Sequence, residues 1–442
     1  MKKNFLLILS GLFLIFLISL TDAAGQADHR DHKPRVIVMT DGEGDDRSSM
    51  VRFLYYANDV ELLAIIQTNS QFQRNGWSSD FWIEEQIDAY EKIYPNLIVH
   101  DPSYPTPYYL RSIIWVGDEE EAHLPPGRMA RPAPGDEPKI DPADWPDTPG
   151  SDRIVEILLE DDPRDVYIQA WGGGNTAARA FHKLKTEYPD DYERAVSKAV
   201  MYNIWYQDSA GNYIERYHPG VTMVLSHYFW GTWAYESQIY THQFIRDYVQ
   251  NDHGPLGKLY PQNYISEGDT PAFLYSLANG LRGHEDPTYG GWGGRFYRVD
   301  GLDNVYWDVS RGSYRKWIDA ANRDWHARLI WGITENFEDA NHRPVIRING
   351  DLDRTVRSGE TVVLEAEVHH PNGLSTSTNW WHYKEAGTYC NFIGVGNSGG
   401  GRVSFIAPEV TSPQTIHMIC EVIDQGTPHL TSYKRVIITL VP

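Results

Sequence analysis

Val36-Ile-Val-Met-Thr-Asp41-Gly-Glu-Gly-Asp45-Asp46 decides how this chain is read. A β-branched, apolar run ends abruptly in three Asp and one Glu within six residues. Such a run reads as a strand buried on both faces, with the acids at its C-terminal end. In open α/β sheets ligands bind at that end. Carboxylates packed this closely repel one another unless protons or a cation neutralise them. Hard oxygen donors of this kind suit Ca2+ or Mg2+. A solvated acidic loop opening a helix accounts for the same residues, because Asp is favoured near helix N-termini.

Further along, the same pattern returns. Arg35–Thr40, Leu62–Gln67, Val166–Ala170 and Lys198–Asn203 read as buried strands. Between and after them, Arg47–Asn58, Ser79–Ile93, Asn175–Glu187 and Phe244–Asn251 read as helices. That alternation predicts a mostly parallel sheet with helices on both faces. Beyond Asn341-His-Arg-Pro344 the pattern changes to short alternating strands: Val345–Ile348, Thr361–Val368, Asn379–Tyr383, Val403–Ile406, Thr415–Ile423 and Lys434–Val441. Gly, Pro, Asn and Asp turns separate them, which predicts an all-β, Ig-like sandwich of about 100 residues. Trp380-Trp381 falls where such a sandwich places a core Trp, and Asp424-Gln-Gly-Thr-Pro428 reads as its last hairpin turn. Residues 117–150 hold eight Pro and no apolar period, so they read as a long excursion or lid. The expected organisation is a leader at 1–24, an α/β domain at 33–340 and the sandwich at 344–442.

The leader is read from Lys2-Lys3, the apolar run Phe5–Leu20 and Thr21-Asp-Ala-Ala24, a signal-peptide pattern cut after Ala23 or Ala24. An uncleaved anchor is the alternative, but the run falls short of the ~20 apolar residues of a membrane span. The expected location is secreted or periplasmic, with no membrane contact after cleavage. The chain has 39 basic and 60 acidic residues, a formal charge of −21; loss of Lys2, Lys3 and Asp22 makes it −22. Such a surface repels polyanions, which argues against a nucleic acid polymer as partner. Aromatics make up 13% of the chain, and composition cannot divide them between core and sugar-stacking faces. Cys390 and Cys420 are the two cysteines. In an exported chain a bond between them is expected to close a loop of about 30 residues, with two buried free thiols as the alternative. No cysteine is left for a thiolate zinc site or a nucleophile in the first 340 residues.

Other strand ends are polar or glycine-rich: Gln67-Thr-Asn69-Ser, Trp171-Gly-Gly-Gly-Asn175-Thr, and Asn203-Ile-Trp205, with Glu267-Gly-Asp269-Thr-Pro preceding an apolar run. They converge if all lie at C-terminal strand ends of one sheet. This ordered set resembles the nucleoside hydrolase superfamily, and within it the branch of exported proteins described as cellulose-binding. In that branch a nucleoside hydrolase-like domain precedes a β-sandwich. Glu-Gly-Asp-Thr-Pro (267–271), Gly-Gly-Trp-Gly-Gly-Arg-Phe (290–296) and Asn-His-Arg-Pro (341–344) carry the resemblance across essentially the whole mature chain.

The resemblance implies a Ca2+ site made by Asp41, Asp46, Asp269 and a main-chain carbonyl at Ala170, with Trp171 as the neighbouring choice. Asp41 would also act as general base, and Asp45, Asn69 and Asn203 would hold sugar hydroxyls. Trp205 is a further candidate substrate contact. The sequence departs from the family at Gly42 and Glu43, where the family has Pro and Gly. Met39 and Met201 stand where it has acids, and Gly268 where a His helps the nucleobase leave. The metal half is kept and the base-handling half is not, which shifts the expected substrate toward a furanoside or other glycan-derived sugar. Glu267 is the candidate replacement acid.

Trp292 and Arg295 are candidates for a sugar platform and a hydroxyl clamp, against the plainer account of a buried glycine turn with a Trp anchor. Trp171-Gly-Gly-Gly lacks the Lys of a nucleotide P-loop, so close packing at the metal site explains it better. His218, His227 and His242 lack metal-ligand spacing, and Ser209, Ser226 and Ser266 sit in no Gly-x-Ser-x-Gly elbow. The leading expectation is an exported Ca2+-dependent glycosidase-like hydrolase. A carbohydrate-binding protein without turnover and a periplasmic nucleoside N-ribohydrolase are its rivals. The ligand is a carbohydrate or nucleoside-like small molecule, and a homo-oligomer stays open.

Overall fold

The computed structural model describes residues 33–127, 132–229, 237, 240–395 and 400–442. The expected leader at 1–24 lies outside them, as does part of the 117–150 excursion. Strand β1, Arg35–Thr40, is buried along its whole length, and its side chains alternate between two cores. Val36 and Val38 enter one, Ile37 and Met39 the other. A continuous apolar run is therefore what a strand needs when helices cover both faces.

Around it stand β2 (Glu61–Gln67), β3 (Ile114–Val116), β4 (Val166–Ala170), β5 (Ala199–Ile204), β6 (Thr222–Ser226), β7 (Phe296–Arg298) and β8 (Val305–Asp308). Their order is β3-β2-β1-β4-β5-β6-β8-β7, parallel throughout except for the β7–β8 pair. Helices Pro149–Leu159, Asn175–Glu187 and Ala210–Tyr217 cover the face that carries Ile37 and Met39. Helices Gly44–Leu54, Trp82–His100, Thr270–Ser276 and Ile318–Trp331 cover the other. Three of the four large strands read from sequence keep their C-terminal residue; the fourth runs one residue further, to Ile204. The helix expected at Ser79–Ile93 starts at Trp82 and runs through Pro95 to His100. The one expected at Phe244–Asn251 is a short turn followed by π-helix, Ile245–Gln250.

The C-terminal strands are β9 (Val345–Ile348), β10 (Asp353–Arg357), β11 (Thr361–His369), β12 (Thr376–His382), β13 (Arg402–Ile406), β14 (Gln414–Asp424) and β15 (Thr431–Val441). They form sheets β10-β15-β14-β12 and β13-β11-β9, a β-sandwich. β10 is the strand the sequence did not reveal; its side chains are nowhere fully buried, so it carries no apolar signal. Trp380 packs inside the sandwich, while its neighbour Trp381 points the other way. Trp381 and Tyr383 meet Trp317 of the first unit, and the Lys316 ammonium lies 4.5 and 4.3 Å from their rings.

The expected Cys390–Cys420 bond is not made. Cys420 is buried in the sandwich core, its thiol pushed up to about 12 by burial, and Cys390 is exposed. No helix among the described residues is long and apolar enough to cross a membrane.

Candidate functional site

Because β2, β1, β4 and β5 are parallel neighbours, their C-terminal residues share one rim. Asp41 leaves β1 and is fully buried. Gly42 turns the chain at a φ of +75°, which L side chains rarely adopt, and the helix begins at Gly44. The acids do not serve as its cap: Glu43 occupies the N-cap position without a capping hydrogen bond. Asp46 instead turns back. Its Oδ1 accepts from the Thr40 hydroxyl and, at 3.2 Å, from the Asp41 amide. Asp269 arrives from the far part of the chain, immediately before helix Thr270–Ser276.

Oxygens of Asp41, Glu43 and Asp46 lie within 4.8 Å of one another, as do those of Asp45, Asp46 and Asp269. Burial raises the Asp41 carboxyl above its ordinary range, and the Ser70 hydroxyl nearby, which forms no well-shaped hydrogen bond to it, offsets part of the effect. Burial and then the charge of Asp41 push Asp45 up to about 6, and the same causes with Asp45 added push Glu43 up to about 8. Asp46 and Asp269 are driven well above the usual carboxylate range by burial and their acidic neighbours. Both oxygens of Asp41 and Oδ2 of Asp269 are buried without a hydrogen-bond partner. Unpaired buried oxygens of one sign carry a steep desolvation cost unless a cation or protons satisfy them. An all-oxygen set with orphaned carboxylates fits a hard divalent cation.

The surrounding residues are held firmly. Asn69 is fully buried, and its Oδ1 accepts 2.8 Å from Asn175 Nδ2 while its own amide donates to Arg74 O. Asn203 is buried at the end of β5, its amide donating to the carbonyls of Met201 and Val224. Ala170 closes β4 between Met39 and Asn203. The glycines after it allow close approach: a Cβ on Gly172 would sit 2.7 Å from the Asp41 carboxyl carbon, and one on Gly173 2.4 Å from Asn69 O. Trp205 lies half-buried beyond Asn203 with a φ of +58°.

Three expected site residues are elsewhere in role. Glu267 is buried with both oxygens engaged: Oε2 accepts from Arg52 and Thr270 at 2.9 Å, and Oε1 from the Tyr260 hydroxyl. Both oxygens are taken up by Arg52, Thr270 and Tyr260, so Glu267 serves as an anchor for Arg52. Trp292 is 1% exposed and belongs to the core, so it cannot be a sugar platform. The glycines around it account for this, since a Cβ on Gly293 would fall 2.4 Å from the Tyr275 backbone. Arg295 donates to Glu385 O of the sandwich, a contact between the two units.

Sequence reasoning missed Asp208, whose Oδ2 accepts from the amides of Gly174 and Asn175 and whose Oδ1 accepts from Ala210. Burial pushes it up to about 7. It caps helix Asn175–Glu187 from 33 residues away, so no local pattern reveals it. The 117–127 segment packs across the same rim. Asp118 O accepts from Thr68, and Glu119 from the amides of Trp77 and Ser78. A separate cavity of about 500 Å3 lies at the opposite strand ends, between Pro34, Asp59 and Arg328 on one side and Tyr433 on the other. None of the acid-cluster residues lines it.

Residues 35–296 match the family model described as cellulose-binding Sde182, nucleoside hydrolase-like domain. Residues 361–440 match that of cellulose-binding protein Sde0182, C-terminal domain. The chain is also similar to the solved structure of a nucleoside hydrolase-related hypothetical protein from Saccharophagus degradans that is associated with carbohydrate metabolism. Identity is 30% over 92% of this chain and 100% of that one, with a TM-score of 0.80. No curated protein matches. With a buried acid cluster at the strand ends of its first unit and a sandwich behind it, the chain belongs to the family of cellulose-binding Sde182 proteins with a nucleoside hydrolase-like domain.

Proposed function

We propose that this chain is an exported, Ca2+-dependent glycosidase-like hydrolase acting on a furanoside or glycan-derived substrate. The observation that carries the reading is the set of orphaned, buried oxygens on Asp41 and Asp269 inside a five-acid cluster. Asp41, Asp46 and Asp269, with the Ala170 carbonyl, are the residues that would hold the cation. Once bound, it supplies a positive charge that lowers the pKa of water. Asp41 accepts the proton of the attacking water at its free carboxylate oxygen. Asp45, Asn69 and Asn203 orient sugar hydroxyls, and the surrounding carboxylates favour the oxocarbenium-like transition state. Direct attack by water predicts inversion at the anomeric carbon. Residues 33–340 form the reacting unit and 344–442 an Ig-like sandwich. The apolar segment 5–20 and the cellulose-binding family support secretion.

A second reading, carbohydrate binding without turnover, is favoured by one observation: Glu267, the expected acid for the leaving group, is locked by Arg52. Nucleoside hydrolysis is disfavoured by Gly268, where a side chain would collide with Asp45. The deciding experiment measures hydrolysis on a panel of furanosides and glycan oligosaccharides, with Asp41→Asn as the control. Turnover that the substitution abolishes in a folded protein supports the enzyme. Saturable binding with no turnover by the wild type supports the second reading.

A further inference from the structure

The five acids divide into two triads. Oxygens of Asp41, Glu43 and Asp46 make one, and those of Asp45, Asp46 and Asp269 the other, each spanning no more than 4.8 Å. Asp46 is common to both, while Asp41 and Asp269 stand in different triads. The path of the chain produces the division. After the turn at Gly42, Glu43 stays beside Asp41 at the N-cap position. Asp45, one turn into the helix, is carried toward the other end of the cluster. There a Cβ on Gly268, the residue before Asp269, would sit 2.3 Å from its Oδ2. Both triads repeat one pattern: two buried carboxylates and one part-exposed member, Glu43 in the first and Asp45 in the second.

Each triad also holds an orphaned carboxylate. Both oxygens of Asp41 lack a donor in the first, and Oδ2 of Asp269 lacks one in the second; neither residue is more than 1% exposed. Oxygens on opposite sides of a Ca2+ ion stand about 5 Å apart, at roughly 2.3–2.6 Å from the metal. A triad spanning up to 4.8 Å therefore fits one ion. Among the described residues no Lys or Arg pairs with any of the five acids. Arg47 and Arg52, on the same helix as Asp45 and Asp46, are paired with Asp80 and Glu267. Five ionised carboxylates carry a charge of −5; one divalent cation leaves −3, and two leave −1. Repulsion among buried like charges therefore favours a second ion.

We propose that the cluster holds two divalent cations of the calcium class, one in each triad, bridged by the Asp46 carboxylate. This rests on the reading of the cluster as a metal site and adds Glu43 and Asp45 to its ligands. The part-exposed member of each triad gives each ion a route from solvent. Shared carboxylates hold such pairs about 3.5–4 Å apart in two-metal sites. The full chain, stripped with chelator, is titrated with calcium at pH 8 in a calorimeter, and bound calcium is counted after equilibrium dialysis. Wild type is expected to hold two ions per chain. Glu43→Gln and Asp269→Asn should each hold one, the affected ion weakened about tenfold or more. Glu43 makes no capping hydrogen bond, so Glu43→Gln should keep its melting temperature in chelator. Two ions in both variants would place the second elsewhere and overturn the proposal. One ion in wild type overturns the second site and leaves the single-cation reading standing; none overturns both.

Discussion

Calcium should stabilise this protein steeply at pH 8 and hardly at all at pH 5. The reason lies in the direction of the carboxyl shifts. In the cation-free fold Asp45 sits near 6 and Glu43 near 8, with Asp41, Asp46 and Asp269 also raised. Between pH 4 and 8 the folded chain therefore holds protons that the unfolded chain has released, and stability falls as pH rises. Asp45, moved from 3.8 to about 6, accounts for up to ~3 kcal/mol at 1.36 kcal/mol per unit. Its partial exposure at the mouth reduces that figure by solvent screening. Calcium at a hundred times its Kd returns ~2.7 kcal/mol, enough to cancel the loss. For a chain of this size the difference is about 3 °C in Tm. Scanning calorimetry of chelator-treated protein at pH 5, 6, 7 and 8, with and without calcium, measures it. Neutral buried histidines such as His326 and His342, both near 4, act in the opposite sense and cost stability as pH falls below 6.5. They contribute equally with and without calcium, so the difference between the two curves isolates the cluster. Parallel curves across the whole range would refute the metal-site reasoning.

Asp41→Asn should abolish hydrolysis and weaken calcium at least tenfold while raising the cation-free Tm at pH 8, because one repelling charge is gone; a lowered Tm in chelator counts against it. Glu267→Gln should destabilise by about 3–5 kcal/mol, as expected when one partner of a buried ion pair is removed. Denaturant titration tests this, and an unchanged midpoint with lost turnover would restore Glu267 as the acid. Trp292→Ala should cost about 3–5 kcal/mol in the same titration, the range for a buried aromatic, with no selective loss of ligand binding. A thiol reagent should label Cys390 quickly in the native protein and Cys420 only after unfolding; no labelling of the unfolded chain without reductant would indicate a bond.

What the sequence made legible follows from which forces are local. The strands carrying Asp41, Asn69, Ala170 and Asn203 announced themselves because a strand covered on both faces must be apolar until the rim. There the composition changes at once. Adjacency of β2, β1, β4 and β5 then made convergence follow from topology. The surroundings of Trp292, Arg295 and Glu267 were not legible in the sequence for one shared reason. Each role depends on what a distant segment places beside it: helix Thr270–Ser276 against the glycine turn, Glu385 against Arg295, and Arg52 against Glu267. Glycine in such a tract signals only that something comes close, and the same residues serve a ligand or another backbone equally well. Asp208 left no trace because its three amide donors belong to two separate helix starts.

The two halves of the site respond differently to sequence change, and Gly268 shows why. The five acids are mutually repelling and mostly buried, so their assembly opposes folding until neutralised. The rest of the fold must hold them, and it does so by fixed means: the Asp46 bond back to Thr40 and Asp41, the Asn175 grip on Asn69, and the start of helix Thr270–Ser276 after Asp269. Position 268 lies between the halves, and any Cβ there would enter the space of Asp45 Oδ2. A side chain at 268 and the present position of Asp45 therefore exclude one another. A change that would read as a lost catalytic group is, in this geometry, what gives the Asp45 carboxylate room for its present position.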